Sequence, residues 1–261
     1  MKTKQHTRRV KSTMLNILKT KYNNWLASDH KLRKLYVSLN YHLFRHKLWR
    51  EMQSLNTKDK FTAIYKLNLW NNEESLSGGG STIRRTVKVR QALPDLLHSY
   101  NIKSICDAAC GDFNWMRHLI KCTPITYTGV DIVGDVISRN NAQYGNTNTR
   151  FLELDIIHDI VPRVDLILCR NCLFHLSFSD IRAALGNFKA SMSMYLLTTY
   201  QPNIEENVDI VTGGCRGINW TRPPFEFLHP ITTVSEDYSD HYTDHCLALW
   251  RLDDIKPYGN G

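Results

Sequence analysis

The segment 103–116 constrains the fold more than any other part of the chain, because it has the order of a short buried strand, a tight turn and a helix start. A second strand is predicted at 126–132, with Asp131 at its tip. Asp131 follows Asp107 at close to the ~20-residue spacing expected of a ribose-binding acid. Strand, turn, helix, strand and acid in this order indicate a nucleotide site at the carboxyl ends of parallel strands.

The turn between the first strand and its helix argues against a dinucleotide. A dinucleotide fingerprint needs three glycines, so that a pyrophosphate can approach the backbone at a helix N-terminus. This turn has one, Gly111, and the next residue is Asp112, whose carboxylate would repel a phosphate. The turn therefore favours a cofactor with a nucleoside and a cationic or zwitterionic tail, and S-adenosylmethionine is a molecule of that kind.

Alternating strands and helices predict the architecture of the second half. We expect strands at 104–109, 126–132, 150–156, 165–171 and 194–200, with helices near 113–121, 135–144 and 178–190. Such alternation is typical of a Rossmann-like, doubly wound, mostly parallel sheet. Two apolar segments near the C-terminus, 231–234 and 246–252, would add an antiparallel pair and complete a seven-stranded sheet.

Helix caps and breaks are predicted from single residues. Ser177 or Ser179 would cap the helix near 178–190. An earlier helix is predicted to run through Val87 and Leu97 with Ser81 or Thr82 as its cap. Since Pro94 falls inside that helix, a kink or a break is expected there.

Positive charge is concentrated in the first 60 residues. Residues 1–60 contain 15 Lys/Arg and 3 Asp/Glu, a net +12, whereas residues 61–261 contain 18 and 22, a net −4; the sum is the +8 of the whole chain. We predict a basic helical N-terminal extension at 1–60 and an α/β domain at 61–261. The extension would pack on the domain or another subunit, lie on an anionic membrane surface, or track nucleic acid.

Composition also limits the compartment. No apolar run reaches the ~18 residues of a membrane span, and no apolar stretch follows the basic N-terminal residues as in a secretory signal. The seven cysteines show no small-scaffold spacing, so we expect reduced thiols and a cytoplasmic protein, peripheral to a membrane if the extension binds lipid. Zinc binding by the two cysteine pairs around the first and fourth strands is disfavoured, and no metal site is predicted.

Four ordered blocks resemble the class I S-adenosylmethionine-dependent methyltransferases, and more narrowly one subgroup with recurring motifs. They are WNNEESLSGGGS at 70–81, CGDFNWM at 110–116, DLILCRNCLFHLS at 165–177 and NVDIVTGGCRGIN at 207–219. The resemblance covers about residues 60 to 250. It implies an enzyme that transfers a methyl group from S-adenosylmethionine. It also favours a lid over the cofactor, rather than a flexible linker, as the role of 70–81.

The predicted cofactor site follows the strand ends. Asp107 would orient the turn or hold the cationic amine of the methionine part, and Asp131 would accept both ribose hydroxyls. By resemblance, Asp155 would bind the exocyclic amine of adenine. The full predicted set is Asp107, Ala109, Cys110, Gly111, Phe113, Asp131, Ile132, Asp155, Ile156 and Arg170, of which Phe113 also reads as a core residue.

Catalysis is predicted at the end of the fourth strand, by Arg170, Asn171 and His175. His175 is the candidate general base, with a structural hydrogen-bonding role as the alternative. Arg170 would bind an acidic substrate group or pair with an internal acid. The subgroup usually has Asp where this chain has Asn171, Trp where it has Cys215 and Pro where it has Ala109, so altered substrate choice or weak catalysis is implied.

The long segment 201–230 is dense in hydrogen-bonding side chains and is expected to be functional. It would build a polar acceptor site suited to a sugar hydroxyl, or form an ordinary surface loop. The leading hypothesis is therefore O-methylation of a small or glycan-like acceptor. The alternatives are a nucleic-acid methyltransferase recruited by residues 1–60, and a cofactor-binding protein with little or no catalysis.

Overall fold

The computed structural model describes residues 49–236 and 245–256, so most of the predicted N-terminal extension lies outside the described residues. The chain divides into two compact units, one ending at Leu69 and the other beginning at Trp70. In the first unit, helix α1 spans Thr57–Lys66, and the Asn56 side chain caps it by accepting from the amide of Asp59. Within the described ranges, no helix is long and apolar enough to cross a bilayer.

The second unit contains a seven-stranded sheet. Its elements are α2 (Val87–Ser99), β1 (Ser104–Ala108), α3 (Met116–Ile120), β2 (Thr126–Asp131), α4 (Gly134–Tyr144), β3 (Thr149–Glu153), β4 (Leu166–Cys169), α5 (Phe178–Ala190), β5 (Tyr195–Tyr200), β6 (Thr232–Ser235) and β7 (Cys246–Arg251). The strand order is β3-β2-β1-β4-β5-β7-β6. The first five strands in this order pair in parallel, and β7 pairs antiparallel with β5 and β6. The predicted Rossmann-like sheet and its closing antiparallel pair are confirmed.

Both faces of the sheet are buried, which explains the continuous apolar runs of its central strands. On one face, Ile105 and Leu166 join a core with Leu93 of α2. The alternate residues on the same strands, Cys106 and Ile167, are fully buried as well. Successive side chains of a strand point to opposite faces, so helices must cover each face.

The carboxyl ends of β1 and β4 mark the position for a site. β1 lies between β2 and β4, so the chain leaves β1 towards one edge of the sheet and later returns to its other side. In doubly wound sheets, a crevice opens where the strand order reverses in this way, at the carboxyl ends of the strands. The predicted site residues follow β1, β2, β3 and β4, and they therefore share this edge.

The predicted cap of α2 is wrong, and of the predicted kink or break at Pro94 the break is not observed, while a kink there stays a prediction. The helix begins after Thr86 and not after Ser81 or Thr82. Ser81 instead ends a short 3-10 turn. Between this turn and α2, residues 82–86 form a further turn, in which the Thr86 hydroxyl donates to the carbonyl of Thr82 at 2.9 Å. The helix also continues through Pro94 without a break, because the residues around Pro94 are anchored in the core. For α5, the cap is Ser177 of the two candidates.

Candidate functional site

The glycine turn after β1 is fixed by side chains from β2 and α4. Asp131 accepts the amide of Gly111 at 3.1 Å with one oxygen and the amide of Val133 at 2.9 Å with the other. Asn140 of α4 donates to the carbonyl of Gly111 at 2.8 Å. Burial raises the pKa of Asp131 to about 6, against the opposing effect of the backbone amides. The sequence analysis selected Asp131 but not Asn140. Asn140 lies 29 residues after Gly111, and nothing in the turn indicates this contact.

Asp107 is a buried acid behind the same turn. Only 4% of its surface is exposed, and one of its oxygens accepts the hydroxyl of Tyr127 at 2.7 Å. Burial raises the pKa of Asp107 to about 7, although the Tyr127 hydrogen bond and the charge of Arg170 act in the opposite direction. Asp107 and Asp131 therefore form a pair of desolvated carboxyls at neighbouring strand ends, which a cationic ligand would favour in their charged form.

We expect cofactor affinity to increase with pH. Because the folded-state pKa values of Asp107 and Asp131 are raised to about 7 and 6, both carboxyls hold protons at pH 5 and lose them by pH 8. A cofactor that needs the charged forms should bind at least about tenfold more tightly at pH 8 than at pH 5. Calorimetric titrations at pH 6 in buffers of different ionisation enthalpy should show proton release. Equal affinity across this pH range would contradict the ionic role of the pair.

The predicted adenine side is less open than expected. Asp155 lies two residues beyond the end of β3, where its oxygens accept the amide of Ile157 at 3.0 Å and pair with the ring of His158 at 2.8 Å. These contacts are those of a turn cap, and its contact with adenine stays a prediction. Ile156 is buried, whereas Ile132 is only partly buried at the tip of β2.

Three residues of the predicted cofactor set follow β1 directly. Phe113 packs its ring 4.9 Å from that of Phe151 in the hydrophobic core, so the packing role that the sequence also allowed is the one observed. Cys110 is buried, and its amide donates to the carbonyl of Val130 at 2.9 Å. Ala109 is joined to Ala108 by a cis peptide bond.

Residues 70–81, here called the strap, bind the glycine turn directly. Asp112 accepts the hydroxyls of Ser75 and Ser77 and the amide of Leu76, at 2.9 to 3.1 Å. In return, the amide of Asp112 donates to the Ser77 hydroxyl at 2.8 Å. The sequence indicated only that Asp112 would repel a phosphate. In the structure it is the residue that attaches the strap to the glycine turn.

A second acid reinforces this attachment. Glu74 of the strap accepts the amide of Ile83 at 2.6 Å and the side-chain amide of Asn114 at 2.7 Å with the same oxygen. Asn114 also donates to the carbonyl of Ser81 at 3.0 Å. Hydrogen bonds to a charged carboxylate are among the stronger ones in proteins. The strap is therefore a fixed covering of the turn in this structure, not an independent linker.

His175 lies on the opposite side of the crevice, at the end of the 3-10 turn Leu173–His175 that follows β4. Its Nδ1 lies 2.7 Å from the carbonyl oxygen of Gly214. A carbonyl only accepts, so Nδ1 carries the proton and Nε2 keeps its lone pair. Burial lowers the pKa of His175 to about 4, helped by the nearby charge of Arg216 and opposed by the Gly214 hydrogen bond. His175 is thus neutral near pH 7 and has one defined acceptor nitrogen.

Arg216 holds the turn that carries His175. Its two terminal nitrogens donate to the carbonyls of Leu173 at 3.2 Å and Leu176 at 2.8 Å, and its guanidinium lies 5.4 Å from the centre of the Phe178 ring. The amide of Gly213 donates to the carbonyl of His175 at 2.7 Å. The block at 207–219 therefore positions His175, a role that its sequence did not reveal.

Other polar side chains of segment 201–230 also bind protein backbone. Asn207 accepts the amide of Asn219 at 2.9 Å and donates to its carbonyl at 2.8 Å. Asn219 donates to the carbonyls of Pro202 and Ile204, each at 2.8 Å. The oxygen atoms of Asp209 and Thr212 accept amides at the start of α5. Much of the predicted polar acceptor surface is thus used to hold the loop together.

Arg170 and Asn171 are both engaged within the protein. Arg170 is buried, its Nε lies 2.6 Å from an oxygen of Glu236, and its guanidinium lies 5.3 Å from the centre of the Trp115 ring. Pairing with an internal acid is the second of its two predicted roles. The amide of Asn171 donates to the Thr199 hydroxyl at 2.8 Å, and that hydroxyl donates back to its side-chain oxygen at 3.2 Å.

The cysteines of the central strands behave as apolar residues. Cys106, Cys110 and Cys169 are buried and unbridged. Burial raises the pKa of Cys106 to about 12 and raises those of Cys110 and Cys169 well above their usual value. Among residues 49–236 and 245–256, no group of His, Cys, Asp and Glu side chains is arranged to hold a metal ion.

Comparisons with known proteins give one family match and several similar solved structures. Residues 105–193 match the family described as a methyltransferase domain. Similar solved structures include LaPhzM (12% identity, 64% of this chain and 55% of that chain, TM-score 0.47). Another is 1,6-didemethyltoxoflavin-N1-methyltransferase from Burkholderia thailandensis (15%, 64% and 79%, TM-score 0.48). A third is magnesium protoporphyrin IX methyltransferase from Synechocystis PCC 6803 (12%, 86% and 98%, TM-score 0.42).

Two further results limit what these similarities show about the chain. No curated protein matches the chain. The chain spans only about half the length of LaPhzM, and at these TM-scores the solved structures indicate no substrate. The family match covers β1 to the end of α5, which includes the glycine turn, Asp131 and His175. Over residues 105–193, which form most of the Rossmann-like sheet described above, the chain is therefore similar to the methyltransferase-domain family.

Proposed function

We propose that the protein is an S-adenosylmethionine-dependent methyltransferase that O-methylates a small or glycan-like acceptor, with His175 as the proton acceptor. The observation that carries this proposal is the defined state of His175, which is neutral, has a protonated Nδ1 and retains a lone pair on Nε2. A neutral imidazole can take up the proton that an acceptor hydroxyl loses as the methyl group is transferred, and with a pKa of about 4 it acts as a weak base.

The residues of the site fit the cofactor. S-adenosylmethionine supplies a methyl group on a positively charged sulfur, which needs no further activation. Asp107 and Asp131 provide two carboxyls at neighbouring strand ends, one for the cationic amine and one for the ribose hydroxyls. Asp131 has already accepted two backbone amides, but each carboxylate oxygen retains a second lone pair for a ribose hydroxyl.

A neutral histidine suits this site better than a charged one. An imidazolium beside a sulfonium would place two positive charges together in a poorly solvated crevice, which is unfavourable. The lowered pKa of His175 avoids this, because the ring stays neutral well below pH 7. Asn171 is a weaker candidate for the base, since an amide takes up no proton at pH 7. We assign Asn171 and Arg170 to positioning the loop after β4.

Replacing His175 by Gln tests the role of the base. We expect the dissociation constant for S-adenosylmethionine to stay within about twofold, while the transfer rate falls by about 10² or more, because one proton acceptor is lost. Binding is measured by calorimetry, and transfer by methyl-labelled cofactor with a panel of monosaccharide and oligosaccharide acceptors.

The wild-type pH profile supplies the control for this variant. With a His175 pKa of about 4, the rate at saturating S-adenosylmethionine should show no acidic decline near pH 6.5, where an ordinary histidine becomes charged. Absence of cofactor binding to the wild type would contradict the whole assignment. Binding without transfer to any acceptor would favour a protein that binds the cofactor and has little or no catalysis.

We propose separately that residues 1–60 bind an anionic partner, either nucleic acid or a membrane surface. The support is the net charge of +12 in this part of the chain against −4 in the remainder. Residues 1–48 lie outside the described structure, so the proposal is based on composition alone.

A further inference from the structure

Two aromatic rings lie beside the ring of the candidate base, His175. The ring centre of Trp70 lies 5.7 Å from that of His175, at an interplanar angle of 35°. Phe174 precedes His175 in the sequence, and the centres of their rings lie 4.4 Å apart. All three side chains are only partly buried, so each leaves part of its ring exposed. We call these three residues the aromatic trio.

Two separate parts of the chain hold the aromatic trio in place. Trp70 begins the strap, which Asp112 and Glu74 attach to the glycine turn. Gly78 has φ +93°, and a Cβ atom there would lie 3.2 Å from the Cβ of Trp70, so the strap closes tightly on the indole. His175 is held independently by its hydrogen bond to Gly214. The two segments thus bring an indole and an imidazole together across the ends of β1 and β4.

The chemistry of the aromatic trio favours a ligand that has a ring with an apolar face. A partly exposed indole offers a wide apolar face, which binds flat rings by stacking and sugar rings through their C–H face. Nε2 of His175 provides a hydrogen-bond acceptor next to that face. Ligand sites commonly combine an apolar wall with a few placed polar groups in this way.

We propose that Trp70 is a stacking platform of the acceptor site, and that the acceptor is a ring with an apolar face and a hydroxyl on its edge. The ring would lie against the indole and direct its hydroxyl to Nε2 of His175. This proposal rests on the proposed function, because it takes His175 to be the proton acceptor. It narrows the acceptor class, since an open-chain alcohol has no face to stack, and it makes Trp70 a determinant of specificity.

Saturation-transfer NMR on the full chain with bound S-adenosylhomocysteine tests the proposal. The probes are phenol and methyl β-D-glucopyranoside as rings with a hydroxyl, and glycerol as an alcohol without a ring. We expect a signal from at least one ring probe and none from glycerol. Trp70→Ala and Trp70→Leu should reduce the ring signal at least fivefold, whereas Trp70→Phe should retain most of it. Which ring probe responds distinguishes a phenolic from a sugar acceptor.

The controls separate this proposal from the function on which it rests. Trp49→Ala changes a partly buried tryptophan of the first unit and should leave the ring signal unchanged. Calorimetry with S-adenosylmethionine measures cofactor binding of each Trp70 variant separately from the ring signal. If the wild type fails to bind the cofactor, the proposed function fails. If it binds the cofactor but the ring probes give no signal, or the signal survives Trp70→Leu, the stacking platform alone is refuted.

Discussion

Replacing Asp131 by Asn should abolish measurable cofactor binding. One carboxylate oxygen of Asp131 accepts the amide of Gly111 in the turn after β1, and the other accepts the amide of Val133 after β2. Among the described contacts, no other carboxylate joins these two segments. An amide presents only one acceptor atom, so it loses one of these bonds and one of the two expected ribose contacts. Since a hydrogen bond to a charged group contributes about 1.5–3 kcal/mol, we expect affinity to fall by at least about 100-fold.

The measurement is a calorimetric titration of S-adenosylmethionine, accompanied by a thermal melt to confirm folding. The matched control is Asp95→Asn on the exposed side of α2, which should bind the cofactor like the wild type. A dissociation constant for Asp131→Asn within threefold of the wild-type value would show that the ribose is held elsewhere. It would also remove the main reason for placing the cofactor on this strand end.

Replacing Gly111 by Ala should destabilise the fold and detach the strap. Gly111 has φ +55°, a conformation that costs an alanine about 1–2 kcal/mol. A Cβ atom there would also overlap the Oγ of Ser77, so the bonds between the strap and Asp112 must be disturbed. We expect a fall of several °C in Tm, faster amide exchange at residues 75–77, and weaker cofactor binding.

A second glycine provides the control for this variant. Gly186 lies inside α5, and a Cβ atom there would meet no other atom within 4 Å. Gly186→Ala should therefore raise stability by about 0.5–1 kcal/mol, because alanine loses less conformational freedom in a helix. If Gly111→Ala lowers stability while Gly186→Ala raises it, the requirement for glycine is specific to the turn. Unchanged exchange at residues 75–77 in Gly111→Ala would show that the strap is held without this close approach.

The sheet was predictable because its signal is local and repeated. Strands such as β4 and β7 are short apolar runs, and α3, α4 and α5, which each lie between two strands, are typical of parallel pairing. The ends of the elements were less predictable: α3 begins only at Met116, three residues after the predicted start, because Phe113 has a positive φ. The cap of α5 is Ser177, one of the two predicted candidates, whereas the cap of α2 is Thr86, which was not among the hydroxyls predicted there.

The partners within the site were not predictable, because they are distant in sequence. Asp112 meets Ser75 across 37 positions, and Arg170 meets Glu236 across 66. Periodicity carries no information about such pairs, which arise only when the sheet brings loops together. Asp107, Asp131 and His175 could be selected because each lies near the carboxyl end of a predicted strand or just after it. The role of Arg216 in holding the His175 turn required the folded loop.

The position of β7 has a consequence for biosynthesis. This strand is formed late in the chain, by Cys246–Arg251, yet it lies between β5 and β6 in the interior of the sheet. Until a ribosome has released these residues, β5 presents an unpaired apolar edge, and β6 has no neighbour. A nascent chain already carrying every proposed catalytic residue would therefore still be incompletely folded, and chaperones that shield strand edges would be needed most at that stage.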